Sequence, residues 1–139
     1  MKAYKKPLPV IQPWSKGFWE GTKANKLMVQ ECKECKAKIF YPRKACPECW
    51  SSDLDWSEAS GKGKVYTFTV TMMGVEDVFS EDIPFVLACV DLEEGVRMMT
   101  RIVECDPDAV RIGMDVEVVF EPVTEEITLP FFKPIAESR

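Results

Sequence analysis

Two CxxC pairs constrain this chain more than any other feature. They read Cys32-Lys33-Glu34-Cys35 and, ten residues on, Cys46-Pro47-Glu48-Cys49. Each pair bends into a knuckle that aims two sulfurs at one point. Four thiolates at about 2.3 Å then close a tetrahedral site around one ion. A site with no open position is structural, and it contributes folding energy to a segment too small to bury a core of its own. Two disulfides are disfavoured, because nothing marks the chain as secreted. A redox CxxC would sit between a strand and a helix, whereas both pairs here lie in turn-rich loops. Zinc is the expected ion, although spacing alone does not separate it from a mononuclear iron with the same ligands. Lys33, Lys36, Lys38, Arg43 and Lys44 surround the ligands and are read as solvated charges that offset the thiolates, rather than as phosphate contacts.

The chain has 139 residues and no histidine. Ser-His-Asp and Cys-His nucleophiles, HExxH metalloprotease sites and every imidazole base are thereby excluded. Charge is unevenly spread: residues 1–50 carry +7 and residues 51–139 carry −12, for a total of −5. An acidic second half repels a nucleic-acid backbone. The N-terminus has no continuous apolar h-region, and no run approaches the roughly 20 apolar residues that span a bilayer. A cytoplasmic protein away from membranes is expected. Cys89 and Cys105 lie in apolar strand-like runs and are read as small buried hydrophobes.

Three units follow along the chain. Residues 1–26 form a Pro-punctuated arm and a short helix over about Trp14 to Ala24. Trp14, Phe18 and Trp19 crowd that helix and must pack either on this domain or on another chain; we assign them to a partner interface, because Trp and other aromatics concentrate in interface cores. Phe131 and Phe132 are weaker candidates for the same role. Residues 27–58 form the zinc ribbon, with Trp50 and Trp56 expected as core residues that cover the metal or the junction with the next unit. Residues 59–139 change to a period of two. In KVYTFTVTMM, Tyr66, Phe68, Val70 and Met72 are expected on one face. Gly61 and Gly63 predict a bulge or close backbone approach, and Glu93-Glu94-Gly95 a hairpin turn. Five short strands, with a turn or helix between the third and fourth, predict an OB-fold barrel and a C-terminal arm; an SH3-like barrel is the nearest competitor. The fold class is therefore mainly β: an N-terminal helix and ribbon followed by a five-stranded barrel. The loop from Met73 to Ile83 is long enough to close over a ligand, although an ordinary solvated connection is the plainer reading.

Taken together, the FWEG helix (Phe18 to Gly21), CKEC, CPEC, SGKGKVYTFTVT, IPFVLACVDLEEGVRMMTRI and IGMDVEVVFE resemble the DUF35 family, a rubredoxin-like zinc ribbon fused to an OB-fold. The resemblance covers nearly the whole chain. It implies an accessory, non-catalytic subunit in a hetero-oligomer with a thiolase-like catalytic partner, the CoA thioester being the substrate of the complex. No catalytic residue carries over. The missing imidazole fits that division independently, since thiolytic or Claisen chemistry needs an activated thiol and a base. The alternative is a nucleic-acid-binding module, a role that both folds also serve. Against it stands the acidic barrel half, where a groove for single strands calls for basic residues.

Overall fold

The structure, a computed structural model, describes residues 6–135, the Val78 side chain excepted. The first five residues of the expected N-terminal arm and the last four of the C-terminal arm lie outside them. Helix α1 spans Lys16–Lys23. It begins two residues after the expected Trp14, because Ser15 is engaged in a turn: its hydroxyl accepts from the Gln12 N–H at 3.0 Å and donates to the Gln12 carbonyl at 3.2 Å. The helix ends where Asn25 takes a left-handed conformation, φ +61°. The Lys26 N–H then donates to the Gly21 carbonyl (2.8 Å) and the Asn25 N–H to that of Thr22 (3.0 Å), a Schellman closure.

Strands β1 (Met28–Cys32), β2 (Lys38–Ile39) and β3 (Leu54–Glu58) form an antiparallel sheet in the order β2-β1-β3. Gln30 stands opposite Ile39 on one side and Trp56 on the other. Trp56 is half-buried, and its indole covers Gly17 of α1, where a Cβ has no room.

The remaining strands are β4 (Lys62–Thr71), β5 (Phe85–Leu92), β6 (Arg97–Ile102), β7 (Asp115–Pro122) and β8 (Thr128–Pro134). They close into a barrel in the order β4-β5-β6-β8-β7, with β7 returning to β4. This is the OB-fold order. A 3-10 turn, Pro107–Ala109, sits between the third and fourth barrel strands, where the sequence asked for a turn or helix. At Gly63 an added Cβ would fall 2.5 Å from the Asp91 carbonyl, so glycine permits the tight β4–β5 approach. ITLPFFKPI, read as a strand or an arm, is the strand that closes the barrel.

The face assignment in β4 needs correction. The register slips between Val65 and Thr67, so that Val65 and Tyr66 together oppose Val90. A bulge of this kind inverts the alternation. Val65 points inward at 1% exposure and Tyr66 outward at 50%, while Phe68 and Val70 face the core again. Met72 is exposed. Trp50, expected in the ribbon core, is 83% exposed, because residue 50 lies in the left-handed region (φ +66°) just beyond the second knuckle and its side chain is turned out.

One apolar core runs through both sheets, joining Phe18, Leu27 and Val29 to Val65, Val90, Val116 and Phe132. A second, small cluster holds Cys32, Ile39 and Cys46, with Leu54 against it.

Candidate functional site: a four-sulfur centre and an apolar groove

The two knuckles are built alike. β1 delivers Cys32, and the chain turns so that the Lys36 N–H donates to the Cys32 carbonyl at 2.9 Å, with Lys36 left-handed at φ +65°. In the second knuckle the Trp50 N–H donates to the Cys46 carbonyl at 2.9 Å, again with the fifth residue left-handed. Backbone N–H groups point at sulfur in both: Cys35 to the Cys32 Sγ and Glu48 to the Cys46 Sγ, each at 3.4 Å. Gln30, only 4% exposed, positions the second knuckle. Its amide donates to the Arg43 carbonyl at 2.9 Å and accepts from the Arg43 N–H at 2.7 Å, three residues before Cys46.

The sulfurs of Cys32, Cys35, Cys46 and Cys49 all lie within 4.8 Å of one another. Cys32–Cys49 and Cys35–Cys46 are each 3.5 Å apart. A tetrahedral site with bonds of about 2.3 Å separates its sulfurs by roughly 3.8 Å, so the cage fits a four-coordinate ion. The backbone N–H of Cys35 holds the Cys32 thiol down at about 7. The Cys49 thiol is pushed up to about 12; the Ser51 N–H favours its thiolate, but protons shared with the neighbouring thiols and burial outweigh that contact. Four sulfurs this close need a cation before all four can ionise. Cys32 and Cys46 are buried and Cys35 and Cys49 exposed, so the site sits at the protein's rim, closed by its own ligands. Of the surrounding lysines, Lys33 reaches Asp53 (3.8 Å) and Lys38 reaches Glu31 (3.1 Å).

The aromatic triad divides. Phe18 is 6% exposed and belongs to this chain's own core, which corrects its assignment to a partner surface. Its ring meets Trp19 edge-on at 4.8 Å and Phe40 at 5.6 Å. Trp14 and Trp19 stay half-buried, and the Lys44 ammonium lies 4.4 Å over the Trp14 ring. Phe132 is fully buried, a correction of the same kind, whereas Phe131 is partly open.

Trp19 and Phe131 face a groove of about 670 Å³ between the N-terminal arm, α1, the Phe40–Pro42 segment and barrel strands β5, β6 and β8. Its walls are largely apolar. Tyr41, in the Phe40-Tyr41-Pro42 segment that the sequence marks as a packing edge, is exposed there at 51%, and Leu87 and Met99, which sequence reasoning passed over, at 38% and 59%. Their signal was present in the alternation of β5 and β6, where large apolar residues occupy outward positions. At one end Arg101 packs over Phe85 (4.3 Å) and donates to Asp82 at 3.3 Å, and Lys6 reaches the same carboxylate at 2.6 Å. Phe79, from the 73–83 loop, lines the groove too. Cys89 and Cys105 are partly buried; burial pushes the Cys105 thiol up, away from reactivity. Among the described residues no helix is long and apolar enough to cross a membrane.

A small zinc-ribbon sheet that shares one core with an OB barrel defines a two-module protein of mixed ribbon and barrel type. The family model described as "ChsH2, rubredoxin-like zinc ribbon domain" matches residues 19–55, and that described as "ChsH2, C-terminal OB-fold domain" matches residues 56–121. The chain belongs to the DUF35 family of zinc-ribbon and OB-fold proteins. It is 41% identical over 111 residues to a DUF35 domain-containing scaffold protein of Methanocaldococcus jannaschii, covering 75% of this chain and 78% of that one. It is 36% identical over 129 residues to a probable enoyl-CoA hydratase alpha subunit of Thermomonospora curvata, covering 93% of this chain but only 40% of the relative. A benzoylsuccinyl-CoA thiolase subunit, BbsA, of Geobacter metallireducens is 29% identical over 92 residues, 66% of this chain and 60% of that one. Among solved structures, a chain of the Ltp2-ChsH2(DUF35) aldolase superposes with a TM-score of 0.82 at 36% identity, over 91% of this chain and 98% of that one.

Proposed function

We propose that the protein is a non-catalytic subunit of a thiolase-superfamily complex acting on acyl-CoA, holding the assembly together and shaping the partner's substrate site. The observation that carries this reading is a pairing. The fold matches, nearly end to end, a chain of a two-component aldolase, and the sequence contains no histidine. The reading assigns the nucleophile and bases to the partner polypeptide. Cys32, Cys35, Cys46 and Cys49 would hold one structural Zn²⁺, which supplies folding energy to the ribbon and no chemistry to substrate. Trp14 and Trp19 would bury against the partner, with the apolar groove beside them as part of the same surface; an exposed apolar patch of this kind marks an interaction site. Among possible complexes, the benzoylsuccinyl-CoA thiolase type fits the similarity to BbsA, and the hydratase and aldolase relatives mark the wider class.

The test is co-purification from the native host with mass spectrometry of whatever co-elutes, together with assay of the isolated chain. A stoichiometric thiolase-like polypeptide is expected, with no thioester cleavage or condensation by the chain alone. A lone monomer in the host extract, or turnover of an acyl-CoA by the purified chain, would defeat the reading.

A further inference from the structure

The barrel is closed unevenly. β6 pairs with β5 along its whole length, from Arg97 to Ile102, but meets β8 in a single parallel pair, Ile102 with Phe132. The reason is written in β8, Thr-Leu-Pro-Phe-Phe-Lys-Pro. Phe132 presents its backbone to β6, its carbonyl accepting from the Val103 N–H at 2.8 Å. Backbone direction alternates along a strand, so residues 130 and 134 face β6 as well, and both are proline. Neither has an N–H to donate, and the seam stops on either side of Phe132. On the groove side, β6 therefore keeps an open edge. The Met99 N–H points into that edge, where the Tyr41 hydroxyl accepts from it at 2.9 Å. The Met99 carbonyl, on the same side of the strand, has no strand donor opposite, because its parallel neighbour would be Pro130. Thr100 bridges the gap only through its hydroxyl, 3.3 Å from the Pro130 carbonyl. The arm that runs past this edge contributes Pro9 and Val10 to the groove wall and forms no strand.

We propose that this seam is a strand-docking site: an extended, mainly apolar segment of the catalytic partner, bearing a carboxylate near its N-terminal end, pairs with the β6 edge from Arg97 to Arg101. Three features select that occupant. An unpaired strand edge inside an apolar groove gives a polypeptide what it gives no other apolar ligand, a row of backbone partners. Five residues of edge span about 16 Å, a match for a short strand. The charge at one end is complementary: Arg101 lines the groove and, among the described residues, reaches one carboxylate, Asp82, which it shares with Lys6. An antiparallel segment, the stronger arrangement, brings its N-terminal end to Arg101. Tyr41 then acts as a placeholder, satisfying the Met99 N–H until a strand carbonyl replaces it. That the segment belongs to the catalytic partner rests on the function proposed above; that the seam accepts a strand does not.

The test uses the full chain with zinc and defined probes. Acetyl-Glu-Val-Thr-Val-Thr-Val-amide is titrated against ¹⁵N-labelled protein, alongside the same peptide with Lys for Glu, a version N-methylated at alternate residues, and decanoate. Binding of the Glu peptide should shift the Met99 and Arg101 amides, and either the Lys peptide or N-methylation should weaken it at least tenfold. Tyr41→Phe should tighten it about fivefold by removing a competing hydrogen bond, and Arg101→Gln should erase the preference for Glu over Lys. The proposal is overturned if no peptide binds up to millimolar concentration, if shifts fall elsewhere, if N-methylation has no effect, or if decanoate binds equally well, which would make the groove an acyl site. No partner is present in these titrations, so their failure leaves the co-purification result standing, and the reverse.

Discussion

Replacing Gln30 with methionine tests how the ribbon is assembled. The substitution keeps the side chain's length and most of its volume at a position 4% exposed, and deletes both hydrogen bonds to Arg43, at 2.7 and 2.9 Å. A hydrogen bond of this type contributes about 1 kcal/mol net. Arg43 is itself exposed, so water takes over its backbone groups and limits the added penalty. The expected loss is therefore about 2 kcal/mol. Because Arg43 leads into the Cys46 knuckle, the loss should fall on the metal-bound ribbon. Where metal binding and ribbon folding are coupled, 2 kcal/mol appears as roughly a 30-fold weaker hold on zinc. Urea unfolding of the zinc-loaded protein and competition with a chromogenic chelator measure the two quantities. If Gln30→Met retained zinc like the wild type while losing stability, the amide would be a general core contact and its role in placing the knuckle would be refuted.

Metal analysis should find about one zinc per chain, and Cys46→Ser or prolonged chelation should expose Ile39 and lower the melting temperature while far-ultraviolet circular dichroism keeps the barrel's strand signal. Phe132→Ala, at 0% exposure in the barrel seam, should cost about 3–5 kcal/mol in chemical denaturation. Asp82 is partly buried, which by itself raises its pKa, but Lys6 and Arg101 together hold it below the usual carboxylate range. A depressed carboxylate stabilises the fold above its unfolded pKa, near 3.9, and loses that contribution as pH falls through its folded value. Asp82→Asn should thus melt below the wild type by a constant margin from pH 7 to about 5, and the margin should shrink below about pH 4; a margin that grew on acidification would contradict the assignment.

The metal cage was legible because its information is local: two residues between sulfurs and a short spacer fix the knuckles whatever the rest of the chain does. The succession of barrel strands was legible for a similar reason, since each strand carries its own alternation and three of the four connections carry a glycine, Gly74, Gly95 and Gly113. Interior and exterior were less so wherever one residue outside the repeat reset the phase. Tyr66 fits an inward stripe by periodicity, and only the two-against-one pairing with Val90 turns it outward. Phe18 and Phe132 show the complementary limit. Aromatic density in a short segment says that the rings must be covered, not by what, and this chain covers both itself because α1 lies on the end of β1 and against β8.

The same logic explains why the open seam could not be seen in advance. Pro130 and Pro134 look like ordinary strand-edge punctuation in ITLPFFKPI. Their meaning depends on which neighbour their missing N–H would have faced, and that is settled only when Phe132 pairs with Ile102. Once it does, the two prolines frame a one-pair closure: strong enough, with Phe132 buried beneath it, to complete the barrel, and short enough to leave the β6 edge beside Tyr41 exposed to whatever fills the groove. A protein meant to stand alone gains nothing by leaving a strand edge open beside exposed Leu87 and Met99, since such an edge invites aggregation. Substituting an ordinary donor at residue 130 should therefore lengthen the β6–β8 seam, give the new residue 130 amide protection from exchange and close the groove, weakening peptide binding while leaving the zinc site untouched.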